Sequence, residues 1–298
     1  MDRHLIDILK EAGFHEDCMT RLCQAEKCLA DRSDWRHCMT LSPLDTALRP
    51  LSLKENHRDV ACSTGLEEEL LDLLHLILYL PQLEELYRQK EIERMFLIDM
   101  VRDLKAKAEE CIAIQGYWGT AFFVWHVQFY RLERFALGRL VYESRSWPND
   151  TFPYGEVCVQ HGDRILGMHI PSGAPLTREA CVDSLKKAFD FYGCSKENPL
   201  IVHCRSWLIS PDHREMLSPE SNLVRFMDMF YPVGVIEQET FDNAWRVFGR
   251  AVKEKPVAEW PTDTALQRGY IKWLLAGKQT HVGIGVLIFN GSELVTES

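Results

Sequence analysis

Residues 156–209 read EVCVQHGDRILGMHIPSGAPLTREACVDSLKKAFDFYGCSKENPLIVHCRSWLI, and this run decides the fold. Glu156 to Gln160 alternates in the manner of a strand and meets His161-Gly162-Asp163-Arg164, which predicts a hairpin turn. Ile165 to Ile170 then predicts the returning strand. Pro171-Ser172-Gly173-Ala174-Pro175 cannot continue a ladder. Thr177 is placed to cap a helix whose apolar stripe is Cys181, Leu185, Ala188, Phe189 and Tyr192, and Gly193 supplies the stop. Leu200 to Ile209 opens apolar and β-branched, like a buried strand. Strand, small-residue loop, capped helix and central strand, in that order, commonly hold an anionic cofactor beside reactive side chains.

The 298 residues suffice for two domains, and the net charge of −10 comes with Lys and Arg scattered through the chain. That pattern argues against a nucleic-acid partner, which needs a basic face for phosphate. It leaves room for a phosphorylated cofactor held by backbone donors and a few local cations. The N-terminus MDRHLIDILKEAG has no apolar stretch of the kind a secretory signal carries. Leu73 to Leu80 is too short to span a bilayer and contains His75, so no membrane span is expected. Ten cysteines without a signal point to a reducing cytoplasm. Cys18, Cys23, Cys28 and Cys38, with His15 and His37, raise a metal reading. Their steps spread them around a helix and no C-x-x-C pair occurs, so they read as small buried hydrophobes and no metal is expected.

The expected fold class is α+β: a helical domain over residues 1–135, then a mixed sheet domain over residues 136–298. Helices are expected near residues 2–12, 16–30, 66–80, 90–114 and 118–135, with a short one capped by Ser33 and another opened by Pro81. Residues 41–64 read as a long connection with a turn or two of helix. Phe122, Trp125, His126 and Phe129 recur at helical spacing and read as core; the alternative is an apolar groove for an acyl chain. Beyond residue 136, Leu140-Val141-Tyr142, Val233 to Glu237, Ala244 to Phe248 and Val282 to Phe289 read as further strands.

Several residues carry candidate chemistry. His169, at a strand end before the Ser172-Gly173 loop, can serve as a general base or can pin the loop as a structural histidine. Cys204 and Ser206 share one face of their strand, with His203, Arg205 and Trp207 on the other. The Cys204 thiol reads as a nucleophile only if a base approaches it, and otherwise as core. Ser206, a hydroxyl within a buried strand, needs a partner and can offer a hydrogen bond to a substrate carbonyl or leaving thiolate. Ile170, Ser172, Gly173 and the amides opening the Thr177 helix form an anion cradle, the helix dipole adding to their free N–H groups. Asn222 and Arg225 can hold a polar ligand or form a solvated ion pair. Tyr270 can protonate a leaving thiolate or stand as a half-buried tyrosine.

HIPSGAPLTREACVDSLKKAFDFY, CRSWL with a following proline, SNLVRF and LQRGYIKWLLAG resemble a bacterial acyltransferase family, and LPQLEELY, GYWGT and FALGRLVYES match it upstream. Members pair a helical N-terminal acyltransferase domain with a C-terminal domain similar to the GNAT (GCN5-related N-acetyltransferase) fold. The resemblance covers nearly all the chain beyond about residue 65. It implies a GNAT-like sheet, an acyl donor that is a coenzyme A thioester or another phosphopantetheine thioester, and a small-molecule amine as acceptor, with an acyl-carrier protein as a possible partner. The chain departs from it twice: the glycine-rich cradle usual in GNAT proteins is replaced by IPSGAP, and Arg205 stands where many members have His.

Acyl transfer to a primary amine, direct rather than through acyl-Cys204, is therefore the expected function. Two readings compete with it: a GNAT-like binding module without catalysis, suggested by the missing cradle, and a thioesterase with water as acceptor.

Overall fold

The computed structural model describes residues 1–297 and divides into two compact units, Met1–Ala136 and Leu137–Ser298. The first is helical: α1 (Arg3–Glu11), α2 (Glu16–Leu29), α3 (Ser33–Cys38), α4 (Pro50–Thr64), α5 (Glu68–Leu78), α6 (Leu80–Gln89), α7 (Arg94–Gln115) and α8 (Phe123–Tyr130). Its centre is α5, where Leu70, Leu71, Leu73, Leu74, Leu76 and Ile77 have no exposed surface, as leucines around a whole circumference require. No helix among the described residues is long and apolar enough to cross a membrane.

Two expectations for this unit are corrected. Residues 50–64 form a fifteen-residue helix rather than a loop. Its buried stripe is Leu53, His57 and Val60, and the histidine hid the helical spacing. His57 is buried because it is paired, through Nδ1 to Asp72 Oδ1 at 2.7 Å and Nε2 to His75 Nδ1 at 2.6 Å. The last helix is only Phe123–Tyr130. Thr120 is held in a loop by its N–H donating to Glu69 O at 2.8 Å, and Leu132 ends the element with a left-handed φ of 56°.

From residue 134 onward the chain forms a six-stranded mixed sheet in the order β1-β2-β5-β6-β8-β7, with a separate β3-β4 ribbon. Its strands are β1 (Arg134–Leu137), β2 (Leu140–Ser146), β3 (Phe152–Tyr154), β4 (Val157–Val159), β5 (Arg164–His169), β6 (Leu200–Ser206), β7 (Tyr231–Gln238) and β8 (Thr280–Phe289). The helices are α9 (Arg178–Phe191), α10 (His213–Met216), α11 (Asn222–Met227), α12 (Ala244–Phe248), α13 (Ala251–Glu254) and α14 (Ala265–Leu275). The hairpin expected between residues 156–160 and 165–170 does not form. The turn is there, Asp163 N–H donating to Gln160 O at 3.0 Å, but β4 turns back on β3 and β5 pairs with β2 and β6. Ile165 to Met168 are buried on both faces, which suits an interior strand, and three-residue β4 cannot partner all of β5. Residues 244–248 are also corrected, from strand to helix: Ala244 and Phe248 are buried one turn apart. The Leu200 strand ends at Ser206, where a 3-10 turn over Trp207–Ile209 takes over.

One sheet face carries Tyr142, Cys204 and Phe289 and is covered by α9: Ser184 Oγ lies 3.2 Å from the Tyr142 hydroxyl, and Phe189 packs edge-on against Phe289. On the other face, the ribbon and Trp147 cover Ile165, Ile201, Val286 and Ile288, leaving a polar end.

Candidate active site

The polar end lies where β5 and β6 part. These parallel strands pair through Leu166↔Val202, Gly167↔His203 and Met168↔Cys204, and the ladder stops there. β5 continues to His169 against Val141 of β2, while β6 continues through Arg205 and Ser206 against Ile284 and Gly283 of β8. The facing edges past Met168 and Cys204 therefore offer main-chain N–H and C=O groups to an extended ligand with amides of its own.

At the lip of this opening, His169 projects to the polar face with its side chain 32% exposed and Nε2 3.1 Å from Glu143 Oε1. A carboxylate on Nε2 favours the tautomer with N–H there and the lone pair on Nδ1. Ile170 and Ser172 follow, half-buried, and Gly173 is exposed. Thr177 caps α9, its hydroxyl accepting from Ala180 N–H at 3.3 Å. Two guanidinium groups reach this loop: Arg246 Nη1 lies 3.5 Å from Ser172 Oγ, and Arg139 Nε donates to Pro175 O at 3.2 Å. Main-chain amides opening a helix, a hydroxyl and guanidinium groups are groups of the kind that bind phosphate.

The other candidates occupy different ground. Cys204 is fully buried, and burial pushes its thiol up to about 12, so it stays protonated at neutral pH and packs as a core residue. Ser206 Oγ accepts from Leu208 N–H at 3.2 Å and opens the 3-10 turn. Tyr270 is 1% exposed, stacked on Phe241, with its hydroxyl 2.8 Å from His213 Nε2. Burial, then the charge of Asp212, raises its phenol further above the usual range, which suits a core hydrogen bond better than an acid facing a ligand. Asn222 is exposed, and Arg225 pairs with Glu220 at 3.1 Å in solvent. No hydrogen bond or ion pair among the described residues joins either side chain to the Ser172 loop.

Sequence reasoning missed Glu143, Arg139, Arg145, His203 and Arg246. Glu143 and Arg145, two residues apart after Leu140-Val141-Tyr142, share one strand face and signal that it is polar. Their nearness to His169 depends on β2–β5 register, which crosses more than twenty residues of chain.

A family model, "GNAT-like C-terminal domain", matches residues 134–287, more than half of the chain. The chain belongs to the GNAT-like C-terminal domain family. No curated protein matches it. Among solved structures, the GNAT-like chain resembles an acyltransferase in complex with decanoyl-CoA and teicoplanin, at 18% identity and a TM-score of 0.72, with 97% of this chain and 88% of that one covered. It also resembles an acyltransferase with CoA and 10C-teicoplanin, at 17% identity and a TM-score of 0.70 over 97% and 88% of the two chains. A third, an acyltransferase with decanoyl-CoA, gives 19% identity and a TM-score of 0.62 over 96% and 99%. At these identities the likeness shows a shared fold, and it extends over the helical unit.

Three buried histidines give this GNAT-like chain a defined acid response. Burial first, then neighbouring positive charge, pushes His203 down to about 4; burial pushes His213 down to about 4; burial, then His57, pushes His75 down to about 3. Each folded value lies below the unfolded one near 6.5, so as pH falls the unfolded chain takes the proton first. Their contribution to stability is intact above that value and is lost progressively toward pH 4, at up to about 1.4 kcal/mol per pH unit for each histidine. Urea midpoints should therefore fall steadily from pH 7 to pH 5, before most carboxylates titrate. A flat midpoint across that range would show that the folded chain accepts these protons.

Proposed function

We propose that the chain is an N-acyltransferase that moves an acyl group from a coenzyme A thioester to a primary amine by direct transfer. The observation that carries this reading is the opening between β5 and β6 with His169 at its lip and the Ser172–Thr177 loop just beyond. A phosphopantetheine arm has amides that can complete the unpaired strand edges and phosphates that suit the loop, Arg139 and Arg246. The acyltransferases of shared fold in complex with CoA and decanoyl-CoA support a thioester donor, and those in complex with teicoplanin support a small-molecule acceptor. In this reading residues 136–298 carry the chemistry and the helical residues 1–135 accompany it.

His169 Nδ1 takes a proton from the ammonium group, and the freed amine attacks the thioester carbonyl. Main-chain N–H groups at the strand ends stabilise the oxyanion. The attacking nitrogen gives up its second proton to solvent as the intermediate collapses with loss of the C–S bond, leaving amide and thiolate, and the thiolate takes a proton from the His169 imidazolium. Holding the reactants in contact supplies much of the rate. Cys204 takes no part, because a buried protonated thiol is a poor nucleophile.

The test is release of free thiol from mixed acyl-CoAs and an acyl-carrier thioester, with and without a pool of amines. Amine-dependent release with formation of amide is the expected result. Amine-independent release would make the protein a thioesterase, and no release from any donor would leave a binding module.

A further inference from the structure

His203 lies on β6, on the polar sheet face, and is 4% exposed, yet neither ring nitrogen has a hydrogen-bond partner. A buried imidazole without a partner is costly and points to a ligand that supplies one. Its row across the sheet is Glu143, Gly167, His203 and Val286, with the Trp147 ring perpendicular to the imidazole at 5.4 Å. Gly167 is the gap in that row. A Cβ there would stand 2.8 Å from Arg145 Cδ and 3.2 Å from Glu143 Cγ, so the glycine lets the Arg145 stem lie across β5 toward His203. Arg205, two residues on from His203, projects from the same face. In a chain of net charge −10, neither guanidinium group has an ion pair or hydrogen bond with another described residue. Both act on His203: after burial, they hold the proton off its ring.

We propose that Arg145, His203 and Arg205 bind a carboxylate on the acceptor, so that the amine acylated is that of an amino acid or a compound bearing both groups close together. The proposal rests on the acyl-transfer reading. Planar guanidinium forks match carboxylate geometry, and a neutral imidazole N–H adds a third donor. The register sets the spacing. One residue past Met168↔Cys204, His169 and Arg205 stand opposite each other across the opening, on the same face. An amine at His169 and a carboxylate at Arg205 can therefore belong to one small molecule. The donor's phosphates have their own seat at Ser172 to Thr177, which leaves this cationic group to the acceptor.

The full chain labelled at histidine Cε1 gives a direct readout by NMR, with the His203 signal assigned through His203→Gln. The probes are glycine, acetate, methylamine and free coenzyme A. Glycine and acetate should move the His203 signal saturably, while methylamine and coenzyme A leave it in place. Arg205→Gln, at an exposed position, and Arg145→Gln should each weaken glycine binding about tenfold. Thermal unfolding of each variant checks that the fold is kept. The proposal is overturned if neither glycine nor acetate moves the signal, or if binding is unchanged in both arginine variants. A response to coenzyme A without one to the carboxylates would assign the site to the donor's phosphates and overturn it equally. Because the readout is binding, failure of thiol release would refute acyl transfer without touching this result.

Discussion

Gly283→Ala is expected to lower the stability of the Leu137–Ser298 unit by on the order of 4 kcal/mol, enough to unfold a marginal domain. Gly283 lies inside β8, paired with Ser206 on one side and Val235 on the other, so the strand cannot shift without breaking two ladders. A Cβ at this position would fall 2.0 Å from the carbonyl oxygen of Ile209 and 2.6 Å from its carbon. Both are main-chain atoms of the 3-10 turn, and no rotamer change relieves the clash. The turn is itself fixed, by Leu208 N–H donating to Ser206 Oγ and Ser210 N–H donating to Trp207 O. Gly285→Ala is the milder comparison: its Cβ would meet the Phe230 Cβ at 2.9 Å, so Phe230 must shift, but by far less than a 2.0 Å approach demands. Urea unfolding should show a much larger loss for residue 283 than for residue 285. Equal small losses would mean that the turn lifts away from β8 at little cost.

The same region shows what sequence could and could not reveal. Local signals were legible. Thr177 caps α9, Cys181, Leu185 and Ala188 form its buried stripe, and Leu200 to Ser206 is an interior strand, because each depends on neighbours within a turn or two. Pairing was not. The β4–β5 hairpin looked sound from its turn residues, but β5 has buried surface on both faces and needed two long partners. Phe152-Pro153-Tyr154 offers no strand signal, because it is short and holds a proline, which a two-stranded ribbon tolerates. The helix α4 was hidden by His57, whose burial is explained only by Asp72 and His75 from another helix. The site divides in the same way. His169 and the Ser172–Thr177 loop follow from local order, whereas Glu143, Arg145 and Arg246 reach it through register and packing. The sequence places His203 on a strand face but gives it no role, because a histidine in an apolar run is ordinary until both its nitrogens prove to lack partners.

His169→Ala is expected to lower kcat for acyl transfer about a hundred- to ten-thousandfold, the range that loss of a positioned general base produces. The side chain is 32% exposed, and its removal leaves the β2–β5 ladder intact, so the melting temperature should stay near that of the parent. KM for the donor should change little, because the proposed reading gives the phosphates to the loop rather than to the imidazole. Added imidazole should restore part of the rate, since the lip of the opening admits a small base. Glu143→Gln should cost less than His169→Ala: the amide still accepts a hydrogen bond from Nε2 but no longer balances the charge of the imidazolium. Cys204→Ala should stay within a few-fold of the parent rate, because a thiol pushed up to about 12 contributes no thiolate. A loss below about threefold for His169→Ala, against the hundredfold floor expected of a general base, would move the base elsewhere. The amine would then have to be captured from solution already neutral, and the rate of every variant should rise with pH until the free amine is fully deprotonated.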